Sequence, residues 1–106
     1  MEVCKIVVFT PLSHAEKIRD VLAASGTGHI GNYDACSFSS RGIGRFRPLK
    51  GAHPAVGTQD MLEEVEEEKI EVFCPVDILQ QVLMNIREVH PYEEPAIDVY
   101  KLFLEI

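Results

Sequence analysis

The sequence predicts a small α+β domain whose elements run β-α-β-β-α-β, the ferredoxin-like split arrangement. Three observations lead there. Two apolar stripes at helical spacing alternate with short runs of β-branched residues. All seven glycines (26, 28, 31, 42, 44, 51 and 57) sit in the middle of the chain, so both flanks are free for regular structure. The length of 106 residues suits one domain, 1–106, which buries roughly two-thirds of the surface its unfolded chain exposes.

Val3 to Phe9 is rich in β-branched residues and short enough for a strand. It is apolar on both faces, Cys4, Ile6 and Val8 on one and Val3, Val7 and Phe9 on the other. Pro11 ends it. Ser13-His14-Ala15-Glu16 then has the form of a capping box, and Ala15, Ile18 and Leu22 give a helical stripe that Gly26 stops.

Tyr33 to Ser40 reads as a second strand. Residues 41–60 hold four glycines with Pro48 and Pro54, which predicts a Gly/Pro-rich excursion with a short strand at Arg45-Phe46-Arg47. Val65 to Cys74 is the third strand, with Ile70, Val72 and Cys74 on one face. Asp77 and Gln80 resemble a capping pair for a helix carrying Ile78, Leu79, Val82, Leu83, Ile86 and Val89. His90-Pro91 ends that helix. Ala96 to Leu104 is the last strand, again apolar on both faces.

Two helices cover one face of a four-stranded sheet. The uncovered apolar face predicts a homo-oligomer, because a second copy is the nearest available cover.

Charge and composition exclude several classes. Seventeen acidic and ten basic side chains give a net charge of −7, which argues against a general nucleic-acid binder. The apolar runs are far shorter than the ~20 residues a membrane helix needs. Met1-Glu2-Val3-Cys4-Lys5 has no signal-peptide features. Cys4, Cys36 and Cys74 form no C-x-x-C motif, which fits reduced thiols and a cytoplasmic location. Charge is also segregated. Residues 63–71 carry six Glu and one Lys, whereas residues 41–50 carry Arg41, Arg45, Arg47 and Lys50. These patches either meet each other or remain as solvated surfaces, and the Glu63–Glu68 run reads as a solvated face.

Local motifs for chemistry are sparse. Gly26-Thr27-Gly28-His29-Ile30-Gly31 matches G-x-G-x-x-G, but it follows a helix and precedes a strand, the reverse of the dinucleotide arrangement. His14 falls in a first helical turn. His29, His53 and His90 lie in loops, and His90-Pro91-Tyr92-Glu93-Glu94-Pro95 adds two carboxylates. The favoured expectation is that these side chains hydrogen-bond loop backbones and line an interface. The alternative, should the loops converge, is a divalent-metal set of His29, His53, His90 and Glu93, with Cys36 as a neighbour. Ser37, Ser39 and Ser40 lack a nucleophile elbow, and nothing local demands an enzyme or a catalytic residue.

Three separated segments are recognisable together: Gly28-His29-Ile30-Gly31-Asn32-Tyr33-Asp34-Ala35-Cys36-Ser37-Phe38, Gly51-Ala52-His53-Pro54-Ala55-Val56-Gly57, and His90-Pro91-Tyr92-Glu93-Glu94-Pro95-Ala96-Ile97-Asp98-Val99-Tyr100. With them the chain resembles the insert domain of the Nif-three-like (YqfO-type) family, as a free-standing version of it. That insert is similar in fold to the PII signalling proteins and the trimeric CutA proteins. The resemblance implies a PII/CutA-like ferredoxin-like sandwich and a trimer. In the full-length family two metal ions are held by the halves flanking the insert, so the GTP cyclohydrolase label does not carry over. His53 departs from the family pattern, in which Asn more often precedes that Pro.

The leading expectation is an oligomeric binding or regulatory module with a small-molecule or ion site at loop and subunit junctions, where loop amides and Arg41, Arg45 and Arg47 suit a phosphate or carboxylate. Its candidate ligand-binding residues are Gly28, His29, Gly31, Asn32, Tyr33, Cys36, His53, His90, Tyr92, Glu93 and Glu94. The runners-up are a divalent-metal-binding protein or metal-dependent hydrolase using the loop His and Glu residues, and an interaction protein using its charged patches.

Overall fold

The computed structural model describes residues 2–103. A four-stranded antiparallel sheet in the order β2-β3-β1-β4 carries two helices on one face. The strands are β1 (Val3–Pro11), β2 (Phe38–Phe46), β3 (Glu63–Pro75) and β4 (Ile97–Leu102), and the helices are α1 (Ala15–Ala24) and α2 (Leu79–Val89). The predicted order and fold class hold. Of the last predicted strand, Leu104 lies outside the described residues.

The core forms on the helix-covered face from the residues the two periodicities select. Cys4, Ile6 and Val8 of β1 and Ile70, Val72 and Cys74 of β3 meet Ile18 and Leu22 of α1 and Val82 and Ile86 of α2. The direct pairing of Ile6 with Val72 and Val8 with Ile70 sets this register. A one-residue slip would turn every one of these side chains outward. Cys4 and Cys74 are free thiols that also face each other in register. Burial pushes the Cys74 pKa up to about 12, so it is an inert core residue.

Both helix starts differ from the capping pattern. Each strand ends at a proline, Pro11 or Pro75, and a single turn of 3-10 helix follows, Leu12–His14 or Val76–Ile78. The turn leads straight into the α-helix, so His14 and Ile78 occupy the cap positions and neither makes a side-chain cap bond. Ser13 Oγ instead meets His14 Nδ1 at 2.9 Å, and Asp77 lies inside the 3-10 turn. The expected capping box and the Asp77–Gln80 pair are thus absent. The end of α1 is as expected. Gly26, at φ +102, donates to Ala23 O, and Thr27 N–H donates to Leu22 O, the bond pattern of a Schellman cap.

The largest correction concerns β2, which begins at Phe38 rather than Tyr33. Residues 30–33 close a tight turn of their own, Ile30 and Tyr33 exchanging both backbone bonds at 2.8 and 2.9 Å. Ala35 is left-handed at φ 55, and Cys36 N–H returns to Gly28 O, so this stretch cannot extend as a strand. The strand instead runs through Gly42 and Gly44 to Phe46, which shortens the excursion to residues 47–62. What holds it is β3. Arg41 sits opposite Glu68 and Arg45 opposite Glu64, with an Arg45–Glu64 ion pair at 2.8 Å. The basic and acidic patches are therefore neighbouring strands.

Nor is the Glu63–Glu68 run a plain solvated face. It lies on β3 with alternating exposure, and Glu68 is buried against Arg19. Because β1 pairs only with Glu67 to Pro75, residues 63–66 and their β2 partners project as a two-stranded ribbon. The molecule measures 47 × 23 × 22 Å accordingly.

The second face of the sheet has no helix. Val7 is buried there, while Phe38 is 68% and Tyr100 55% exposed. Among the described residues no helix is long and apolar enough to cross a membrane.

Candidate functional site

Two loops on this open face border a half-open cavity of about 580 Å³. Residues Pro48 to Val56 of the excursion form one wall and Tyr92 to Ala96 the other, above a floor of Phe9, Gly44, Phe46 and Glu67.

The second wall is set by the end of α2. Pro91 disfavours helix at His90, whose backbone turns to the extended region at φ −70, ψ 133. The His90 ring is buried, and both of its nitrogens are engaged. Nε2–H donates to Phe9 O at 2.8 Å, and Nδ1 accepts from Tyr92 N–H at 3.1 Å. A carbonyl only accepts and an amide N–H only donates, so these bonds assign the neutral Nε2–H tautomer. Burial lowers the His90 pKa from 6.5, against the opposing pull of the Phe9 carbonyl and Glu67.

This anchored histidine places Tyr92. Its ring lies 5.1 Å from His90 and 6.0 Å from Phe46, both tilted, which makes an aromatic corner at the cavity. The Tyr92 hydroxyl donates to Glu67 Oε2 at 2.9 Å. Burial raises the phenol pKa above 10, and the Glu67 bond and charge add to the shift. Glu67 reaches this position because Gly44 lacks a side chain: a Cβ there would collide with the Glu67 carboxylate. Glu93 Oε1 accepts His53 N–H at 2.9 Å and staples one wall to the other.

Two of the three family-like loops thus converge and the third does not. Tyr92, Glu93 and Glu94 line the cavity, His53 joins through its backbone, and His90 lies beneath as a support. Gly28, His29, Gly31, Asn32, Tyr33 and Cys36 lie elsewhere. Gly28 N–H bonds Phe73 O at 2.9 Å, whereas Tyr92 bonds Glu67. Those two β3 positions are about 20 Å apart along the strand. Gly28 is buried at φ +70, and a side chain there would strike the backbone of Cys36, so its role is close packing. Tyr33 is 75% exposed.

Sequence reasoning missed Phe9, Phe46 and Glu67 as lining residues, and offered Arg47 only as a charge for an anionic ligand. The available signal was parity: Phe9, Phe46, Glu67 and Gly44 all belong to the sheet face that the helices leave open.

The fold and its open sheet face define a class, the CutA/PII-like ferredoxin-fold domains. A CutA described as a periplasmic divalent cation tolerance protein, from Archaeoglobus fulgidus, superimposes with a TM-score of 0.71. That match covers 98% of this chain and 87% of that one at 17% identity, and so speaks for the fold alone. Within the class, the chain is a relative of the CutA/PII-like domain of the Nif-three-like family. A Bacillus cereus protein related to NIF3 matches 95% of the chain with a TM-score of 0.83 and 46% identity. A GTP cyclohydrolase 1 type 2 homolog from Halalkalibacterium halodurans is 46% identical over 98 residues, 92% of this chain. The chain spans about a quarter of the length of each, 26% in both cases. No family model matches it.

The CutA names raise the question of a divalent cation. Among the described residues no group of three or more His, Cys, Asp or Glu side chains is placed to hold one. Of the expected ligands, His29 is at the far end of the sheet, His90 has both ring nitrogens bonded, and His53 meets Glu93 through its amide. These residues do not fit a resident metal.

Proposed function

We propose that this chain is a binding module that works as a homo-oligomer, a trimer as the resemblance implies, and takes a small molecule in the cavity beside Phe46 and Tyr92. The observation that carries it is the cavity itself, about 580 Å³, walled by proline, alanine, leucine and aromatic side chains on the uncovered sheet face. Ligand sites are commonly of this size and apolar character. The homo-oligomer follows from the same face, where Phe38 and Tyr100 stand exposed beside the buried Val7. A copy packed there would border the cavity and place the site at a subunit junction.

Two measurements test this reading. Light scattering at micromolar concentration should give a mass above the 11.9 kDa of one chain. The neutral dye Nile red should bind saturably, and Phe46→Ala or Ala52→Trp should weaken it several-fold. A monomeric mass overturns the oligomer, and dye binding indifferent to both variants overturns the site.

A further inference from the structure

We infer that the ligand of this cavity is an organic cation, an amine or quaternary ammonium compound with a compact apolar body. The inference rests on the cavity being a ligand site and adds the class of its ligand.

Charge gives the sign. Five residues with ionisable side chains of fixed sign line the cavity, Arg45, Arg47, Glu67, Glu93 and Glu94. Arg45 is already neutralised by Glu64, a residue that is not part of the lining, at 2.8 Å. Three carboxylates then face the single guanidinium of Arg47. Among the described residues none of the three forms an ion pair. Two accept hydrogen bonds, Glu67 from the Tyr92 hydroxyl and Glu93 from the His53 amide. Both donors are neutral, so these bonds orient the carboxylates and leave their charge in place.

The walls give the chemistry. Phe9 of β1, Phe46 of β2 and Tyr92 of the loop after α2 line one space, with the Phe46 and Tyr92 rings 6.0 Å apart. A cation over such rings is attracted by the ring quadrupole, and the attraction grows where water is displaced. Tyr92 strengthens as a partner because its proton is directed into Glu67, which leaves its oxygen without a donor toward the cavity. The remaining lining, Pro48, Leu49 and Val56 among it, suits an apolar body and gives a strongly hydrated metal ion no reason to shed its water.

The test is calorimetry on the whole chain with three probes of similar body and different charge, benzyltrimethylammonium, benzyl alcohol and phenylacetate. Benzyltrimethylammonium should bind saturably and about tenfold or more tighter than the other two. Glu94→Gln and Glu67→Gln should each weaken it several-fold, and by clearly more than they weaken Nile red, since the amide oxygen of the second variant still accepts the Tyr92 bond. Arg47→Gln should tighten it. Equal binding of the three probes, or tightest binding of phenylacetate, overturns the inference. If Nile red occupies the cavity and benzyltrimethylammonium does not, the cation is wrong and the site stands. If neither binds, both readings fall.

Discussion

The Tyr92 hydroxyl donates to Glu67 Oε2 at 2.9 Å and so ties the corner after α2 to the middle of β3. The two residues are remote in sequence, and the bond fixes one wall of the cavity to its floor. Tyr92→Phe should therefore cost about 1 kcal/mol in chemical denaturation, with the fold retained. The raised phenol pKa adds a pH signature. Stability from this bond is whole below pH 10, the ordinary tyrosine value, and is lost as the pH rises through the higher folded value. Absorbance titration should show one tyrosine fewer ionising near pH 10 in the native protein than in the unfolded one. A full complement of normally titrating tyrosines contradicts the bond.

His90 gives the opposite pH dependence. Its lowered pKa means the unfolded chain takes up a proton that the folded one refuses. Its contribution is thus fully present above 6.5 and declines as the pH falls toward the folded value. Protonation at Nδ1 would also break the Tyr92 N–H bond and loosen the cavity wall. Denaturation midpoints measured above and below pH 6.5 should fall in acid, and His90→Gln should flatten that fall. An unchanged pH slope in the variant argues that other groups are responsible.

Much of the fold was legible because periodicity and punctuation are local signals. Ile18 and Leu22, or Ile70, Val72 and Cys74, announce their shared face by spacing alone, and Pro91 announces the end of α2. The start of β2 was not legible, because small polar residues such as Ser37 and Ser39 suit either a loop or an edge strand. The decision fell to long-range partners, the Gly28–Cys36 backbone bond and the Arg45–Glu64 pair. The cavity was half legible. Tyr92, Glu93 and Glu94 stood out as a cluster, whereas Glu67 was hidden in an acidic run and Gly44 looked like a turn. Only strand pairing brings those two together.

Gly28 marks the G-x-G-x-x-G stretch as packing rather than ligand binding. Gly28→Ala should cost about 2 kcal/mol or more, since it adds a left-handed strain to a clash with the Cys36 backbone. Gly31, at φ +56 with open space around it, should tolerate alanine better, with only the strain to bear. Thermal melts of the two variants check the order. Nile red binding should survive in both, because neither residue lines the cavity.

Arg19 and Glu68 provide the last prediction, and its size depends on which partner is removed. Glu68 has 9% of its side chain exposed, Arg19 37%, and the guanidinium bonds the carboxylate directly from α1. Arg19→Ala strands a carboxylate that is almost out of water, so it should cost about 1–3 kcal/mol. Glu68→Gln leaves the half-exposed Arg19 to solvent and should cost less. Removing both should then be milder than removing Arg19 alone, because the second change takes away the stranded charge. Urea midpoints of the two single variants and the double variant give the ordering. A double variant less stable than Arg19→Ala would mean that the pair acts through packing of the arginine stem against β3, and that the buried charge is not what the pair serves.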